Sequence, residues 1–388
     1  MNYNHAAELV ARAESLTQLY AALRAENAGD VFSEYCCNEF MRKKAWLAGS
    51  PMYGHFELTP LCNLDCKMCY VHLTPGQLKD KKPLTAGQWL AIASQAIEEG
   101  MLQCTLSGGE CLAYPGFDDI YRFMLSRGVR TCVYTNALHL DEKRVEFFNR
   151  YRPEEIQVTI YGHNDDVYER VTGHRVYNRV IENVLRARDA GLPVRIAVTQ
   201  NKYLGRDDEA LIRFLEEKKL DYTLNMGLFT PHEETGRAGE NHDETVADYI
   251  RLKCLKRELS GENTPEPCMV ALPEKARSGA GDVPVGLRCG GGHCAFNIDW
   301  QGRMYACSLL DIPYAEPLET GFAKAWEIVK QTASEYPLPA ECEGCAYQEV
   351  SQHCPALHGV EAPKGHASPR MCEYCREIVR SGLEKLET

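Results

Sequence analysis

Between Gly54 and about Asn225, short apolar runs alternate six times with amphipathic helical stretches, and few folds accommodate that alternation. Strands are expected at residues 55–59, 103–106, 130–134, 156–160, 194–198 and 222–226. Helices are expected between them at 86–99, 117–127, 141–150, 175–190 and 207–218. Strands separated by helices pair in parallel through right-handed crossovers. A closed eight-stranded barrel takes about 250 residues. This stretch is shorter, so the expected fold is α/β, a partial (β/α)6 TIM-like barrel over residues 51–230.

The flanks read differently. Residues 1–50 carry Leu9, Val10, Ala13, Leu16, Leu19, Tyr20 and Leu23 at helical spacing, which points to an N-terminal helical segment that docks or caps. Residues 231–287 form a connector punctuated by Gly279-Ala280-Gly281, with a helical piece at 243–260. Residues 288–388 are a small Cys-rich C-terminal domain, with too little apolar content for an ordinary core, so metal ligation is expected to organise it.

Eighteen cysteines in 388 residues are the compositional anomaly, sparse in the middle and crowded after Cys289. Charges at Glu8, Arg12 and Glu14 interrupt the apolar core that a signal peptide needs, so a cytoplasmic chain is expected. In such a chain clustered cysteines indicate metal or redox chemistry rather than disulfides. No apolar run approaches the ~20 residues of a membrane span. A net charge of −12 without a Lys/Arg block gives no reason to expect nucleic acid or an anionic membrane as partner.

The segment FELTPLCNLDCKMCYV contains Cys62-x3-Cys66-x2-Cys69, directly after the first strand. Three thiolates this close can bind three irons of a cubane and leave the fourth open to a ligand, as catalytic metals keep a free position. The loop after a barrel strand lies at the C-terminal face, where barrels place active sites. The competing reading is half of a zinc site completed from elsewhere.

With the aromatic Tyr70 following it, this motif resembles that of the radical S-adenosylmethionine (SAM) superfamily. Ser107-Gly108-Gly109-Glu110 ends the second strand and is similar to the family's Gly-Gly-Glu motif, whose backbone approaches the methionine amine of SAM. Thr135-Asn136-Ala137 follows the third strand, with Ala137 where relatives usually carry glycine. Thr159 ends the fourth strand, at the family's ribose-contacting position; Asn201, after the fifth, is a further candidate that turn chemistry explains equally well. The resemblance implies reductive cleavage of SAM to a 5′-deoxyadenosyl radical that abstracts hydrogen from a substrate. It also implies a low-potential electron donor of flavodoxin or ferredoxin type.

The C-terminal cysteines fall into three blocks: Cys289-x4-Cys294-x12-Cys307, Cys342-x2-Cys345-x8-Cys354 and Cys372-x2-Cys375. They resemble the SPASM domain of radical SAM enzymes that modify peptides and proteins: Cys289, Gly302 and Cys307 fit its opening, and Cys342, Cys345 and Cys354-Pro355 its next block. One cysteine of that block is missing, with Ser351 near its place. The resemblance implies two auxiliary clusters, one on Cys289, Cys294, Cys307 and Cys354, the other on Cys342, Cys345, Cys372 and Cys375. Three [4Fe-4S] clusters and SAM are thus the expected cofactors. The last four cysteines, two Cys-x2-Cys pairs 26 residues apart, would also suit a zinc ribbon. Among the remaining cysteines, Cys36-Cys37, Cys104, Cys111 and Cys132 read as buried or incidental, and Cys254 and Cys268 carry little weight.

The leading expectation is a maturase of a ribosomally made peptide, forming a thioether or carbon–carbon crosslink or a related oxidation. The substrate partner is then a peptide or protein. An anaerobic sulfatase-maturing enzyme is the alternative, but those usually have Asp directly after the Gly-x4-Cys cysteine, where this chain has Ser308. A non-enzymatic iron–sulfur carrier or zinc scaffold is the third reading.

Overall fold

The computed structural model describes residues 3–25, 30–78, 81–225, 246–260, 286–310, 312–347, 350, 354–359 and 362–383. Three helices, α1 (Tyr3–Arg12), α2 (Leu16–Ala25) and α3 (Asp30–Ala48), precede the sheet. Val10, Ala13, Leu19, Leu23, Cys36 and Phe40 form their own small core. The end of this arm is pinned to the C-terminal region: Trp46 stacks on His293 at 3.9 Å, and Trp326 Nε1 donates to the Gly49 carbonyl at 2.7 Å.

The expected alternation follows. β1 (Tyr53–Glu57), α4 (Ala86–Glu98), β2 (Gln103–Ser107), α5 (Phe117–Ser126), β3 (Arg130–Thr135), α6 (Glu142–Arg150) and β4 (Glu155–Thr159) lead to α7 (Asp165–Thr172), α8 (Tyr177–Asp189), β5 (Val194–Thr199), α9 (Asp207–Glu217) and β6 (Tyr222–Asn225). Helix α10 (Val246–Ser260) lies in the connector; residues 243–245, Met226 and Cys268 lie outside the described residues. The chain ends with β7 (Ala295–Ile298), β8 (Met304–Tyr305), α11 (Pro317–Thr320), α12 (Phe322–Glu335), α13 (Pro355–His358) and α14 (Pro369–Arg380).

The strands form one open sheet in the order β6-β5-β4-β3-β2-β1-β7-β8, parallel except for the last pair. Its two faces have different characters. Phe56 of β1 stacks on Trp89 of α4 at 5.0 Å, and Cys104, Leu106, Val133, Ile156, Val158, Ile196 and Val198 share the buried helix-facing core. Residues of opposite parity, among them His55, Glu57, Thr105, Ser107, Tyr134, Gln157, Thr159 and Asn297, pair across the other, inner face. That face is polar.

Two elements were not anticipated. Helix α7 is short, capped by the Asn164 side chain on Val167 N–H (2.9 Å) and stopped by Gly173 at φ 76°. The C-terminal region, expected to lack an apolar core, supplies one as far as Tyr336. β7 pairs in parallel with β1, and Phe296, Ile298, Met304, Phe322, Ala325, Trp326, Val329 and Ala333 belong to the barrel core. Helical spacing along α12 puts Phe322, Ala325, Trp326, Val329 and Ala333 on one stripe. Beyond Tyr336, a small group around Val350, Cys375 and Ile378 gathers on the inner side of α14. No helix among the described residues is long and apolar enough to cross a membrane.

Candidate active site

After Glu57 the chain leaves β1 at the C-terminal edge of the sheet and forms the loop carrying Cys62, Cys66 and Cys69. Backbone bonds stitch this loop from two sides. Leu58 N–H donates to Ser107, while Gly109 and Glu110 N–H donate to Thr59 (2.6 Å) and Leu61 (2.9 Å). On the other flank, Asp65 and Lys67 N–H fill the last carbonyls of α7, Thr172 and Val171, both at 3.0 Å. The approach to the second strand is close enough to require glycine. A Cβ on Gly108, at φ +123°, would lie 2.4 Å from the Thr59 oxygen, and one on Gly109 would lie 2.3 Å from the Leu61 oxygen.

The three sulfurs are surrounded by donors. Leu64 N–H and Asn136 Nδ2 point at Cys62 Sγ (3.4 and 3.5 Å), His72 N–H points at Cys69 Sγ (3.3 Å), and the Tyr161 hydroxyl bonds Cys66. Burial pushes the Cys62 thiol up to about 12 against those donors. Buried sulfurs that collect hydrogen-bond donors suit thiolates whose charge is offset by iron.

Glu110 braces the site from below. Fully buried, its carboxyl accepts from Leu112 N–H (3.0 Å), the Thr135 hydroxyl (2.7 Å) and Asn136 N–H (2.8 Å), tying the loop after β2 to the loop after β3. Its side chain is thereby committed to protein donors. Asn136 passes the constraint on, its amide donating to Asn63 Oδ1 (2.6 Å) beside Cys62. Ala137 adopts φ +64°, a backbone conformation that glycine takes without strain. Ala137→Gly is expected to stabilise the protein by about 0.5–1 kcal/mol by removing left-handed strain, whereas Ala137→Val should cost at least about 2 kcal/mol. Thermal melts of the two variants check this, and equal melting temperatures would contradict it.

Thr159 ends β4 half-buried on the inner face. Tyr70 stands beside the triad, its hydroxyl within electrostatic reach of Glu57, Cys69, Cys307 and Tyr134, and burial raises its pKa. Asn201 is buried, its amide donating to the Thr199 carbonyl (3.1 Å) while its oxygen accepts from Tyr203 N–H (3.1 Å), so it shapes its own turn. Cys104, Cys111 and Cys132 are buried, and Cys111 Sγ donates to the Tyr134 carbonyl at 3.1 Å.

The C-terminal cysteines form two groups. Cys307 lies within electrostatic reach of Cys289 and Cys354, and Cys294 within reach of Cys289. Backbone N–H groups of Gly291, Leu309 and Leu310, and Leu357 and Ala356 bond Cys289, Cys307 and Cys354 respectively. Separately, Cys342 neighbours Cys372 and Cys345, while Cys375 is buried one turn along α14 from Cys372. The sequence reading missed Glu57 and the polar inner face around it; the period-two alternation of His55 and Glu57 in β1 was the available signal.

The open, mostly parallel sheet thus carries three clustered cysteines and a glycine-braced loop at its C-terminal edge. Residues 56–217 match the family model of the radical SAM superfamily, so this part of the chain is a radical SAM domain. The AdoMet-dependent heme synthase of Methanosarcina barkeri is 24% identical over 335 residues, covering 80% of this chain and 93% of that protein. The sporulation killing factor maturation protein SkfB of Bacillus subtilis is 22% identical over 312 residues, covering 78% of this chain and 72% of its own. Streptococcus suis SuiB, solved bound to the precursor peptide SuiA, superposes with a TM-score of 0.66 at 16% identity, covering 91% of this chain and 87% of SuiB.

Proposed function

We propose that this enzyme matures a ribosomally made peptide by radical chemistry, introducing a crosslink or a related oxidation. The observation that carries the reading is the cysteine loop, locked to Gly108-Gly109-Glu110 at the mouth of a polar, open barrel, in a chain whose relatives include a sporulation killing factor maturation protein. When bound at Cys62, Cys66 and Cys69, an iron–sulfur cluster with SAM supplies a hydrogen-abstracting carbon radical. The chain's own residues orient the reactants. The backbone of Gly108 and Gly109 borders the site for the methionine end, Thr159 faces the ribose position from the inner face, and Tyr70 closes the side toward Cys307. Asn201 supports this wall through its turn.

In this reading Cys289, Cys294, Cys307 and Cys354 hold one auxiliary [4Fe-4S] cluster and Cys342, Cys345, Cys372 and Cys375 a second, making the C-terminal region SPASM-like. Their spatial grouping supports the sets. A flavodoxin- or ferredoxin-type donor would supply low-potential electrons in the cytoplasm. After anaerobic reconstitution about twelve irons per chain are expected, with matching sulfide and no zinc. About eight irons with one zinc would turn one C-terminal site into a structural one.

The heme synthase relative supports a second reading, radical chemistry on a heme precursor. Mass spectrometry separates the two. The reduced enzyme with SAM is expected to remove hydrogen mass from a candidate precursor peptide. If every peptide stays unchanged while a porphyrin substrate is converted, the peptide reading is wrong.

A further inference from the structure

One buried carboxyl on the inner face has an oxygen without a hydrogen-bond partner. Its neighbours are paired. Asn297 Nδ2 donates to the Ala306 carbonyl (3.3 Å), so its Oδ1 accepts from His55 Nδ1 at 3.1 Å, and His55 Nε2 is left to accept from the Ser107 hydroxyl. Burial pushes His55 down to about 4, so the ring is neutral and fully occupied. Glu57, two residues on, is 2% exposed, yet its Oε1 has no hydrogen-bond partner. A buried polar atom left without a partner is costly, and an arriving ligand can remove that penalty.

The place of Glu57 identifies that ligand. It is the last residue of β1, in register with Ser107, at the edge where the cysteine loop begins. The Tyr70 hydroxyl lies within electrostatic reach of Glu57, Cys69 and Cys307, so Tyr70 links the carboxyl to both cysteine groups. From the β7–β8 turn it faces Asp299 and Arg303, which bond each other at 2.7 Å while the Tyr305 hydroxyl bonds Asp299 at 3.2 Å. Tyr70 faces it from the loop and His55 from its own strand. Burial first, then Asp299, push Glu57 up to about 8 against Arg303, so it keeps its proton at neutral pH. His55 and Glu57 are displaced in opposite directions on one face, the pattern of groups set for different proton roles. A protonated carboxyl offers one donor and one acceptor, the complement of an amide.

We propose that Glu57 is a substrate-binding residue whose carboxyl hydrogen-bonds an amide group of the peptide substrate, donating to its carbonyl oxygen. The proposal rests on the peptide reading above. The test uses the reconstituted holoenzyme, dicyclohexylcarbodiimide as a label for protonated carboxyls, and N-acetylalanine methylamide as a minimal peptide unit. Peptide mapping is expected to find Glu57 labelled at pH 7, with labelling falling about tenfold by pH 9 as the carboxyl ionises. In the presence of SAM, the methylamide should slow labelling severalfold, and E57Q should lack the labelled fragment. Absence of labelling at Glu57, no protection by the methylamide, or full protection by SAM alone would overturn the proposal. Release of 5′-deoxyadenosine from the same wild-type sample reports separately on the radical reading.

Discussion

Replacing Cys62, Cys66 and Cys69 together by alanine is expected to abolish SAM cleavage while leaving the C-terminal clusters in place. Iron should fall by about four per chain, from about twelve to about eight. Release of 5′-deoxyadenosine should drop by roughly a thousandfold or more, to background. The fold should survive, because the loop is held by backbone bonds from Leu58, Asp65, Lys67, Gly109 and Glu110 rather than by the sulfurs. Iron analysis, circular dichroism and chromatography of the nucleoside check the three parts. A variant that keeps all its iron would show that the triad is not a cluster site.

The second large effect is expected at Gly109. An added Cβ would meet the Leu61 oxygen at 2.3 Å and its carbonyl carbon at 2.6 Å, and backbone cannot swing aside as a side chain can. Gly109→Ala must therefore part the β2 end from the cysteine loop, breaking the bonds to Thr59 and Leu61. A loss of at least about 3 kcal/mol is expected, which lowers the melting temperature by about 4 °C or more in a chain of this size. Gly191→Ala is the control. Gly191 also has a positive φ, +75°, but nothing lies within 4 Å of its added Cβ, so strain alone costs about 1 kcal/mol. Equal melting temperatures for the two variants would contradict the close-approach argument.

Much of the barrel was legible because alternation is a strong signal. β2, β3 and β5 begin at the expected residues, and α4, α5 and α9 also begin where expected. Strand β1 runs two residues earlier than expected because Leu58 and Thr59 are already drawn into the contact with Ser107 and Gly109. The clustering of Cys62, Cys66 and Cys69 was legible from their spacing, whereas the two C-terminal sets came from the family resemblance and not from spacing. Partners made through space were not legible. Nothing local says that Ala295–Ile298 joins the far side of β1, and the cysteines around it drew the reading toward metal as the organising force. The Phe322 to Ala333 stripe was present in the sequence, but its helix was lost among loops. Glu57 was read as part of an apolar run, and only the sheet shows that it faces inward with an unfilled oxygen.

The most direct test of the central claim is the fate of SAM on the anaerobically reconstituted, dithionite-reduced wild-type protein. The account predicts formation of 5′-deoxyadenosine and methionine in equal amounts, dependent on reductant and absent from the triple cysteine variant. Iron-loaded, reduced protein that leaves SAM intact would contradict it.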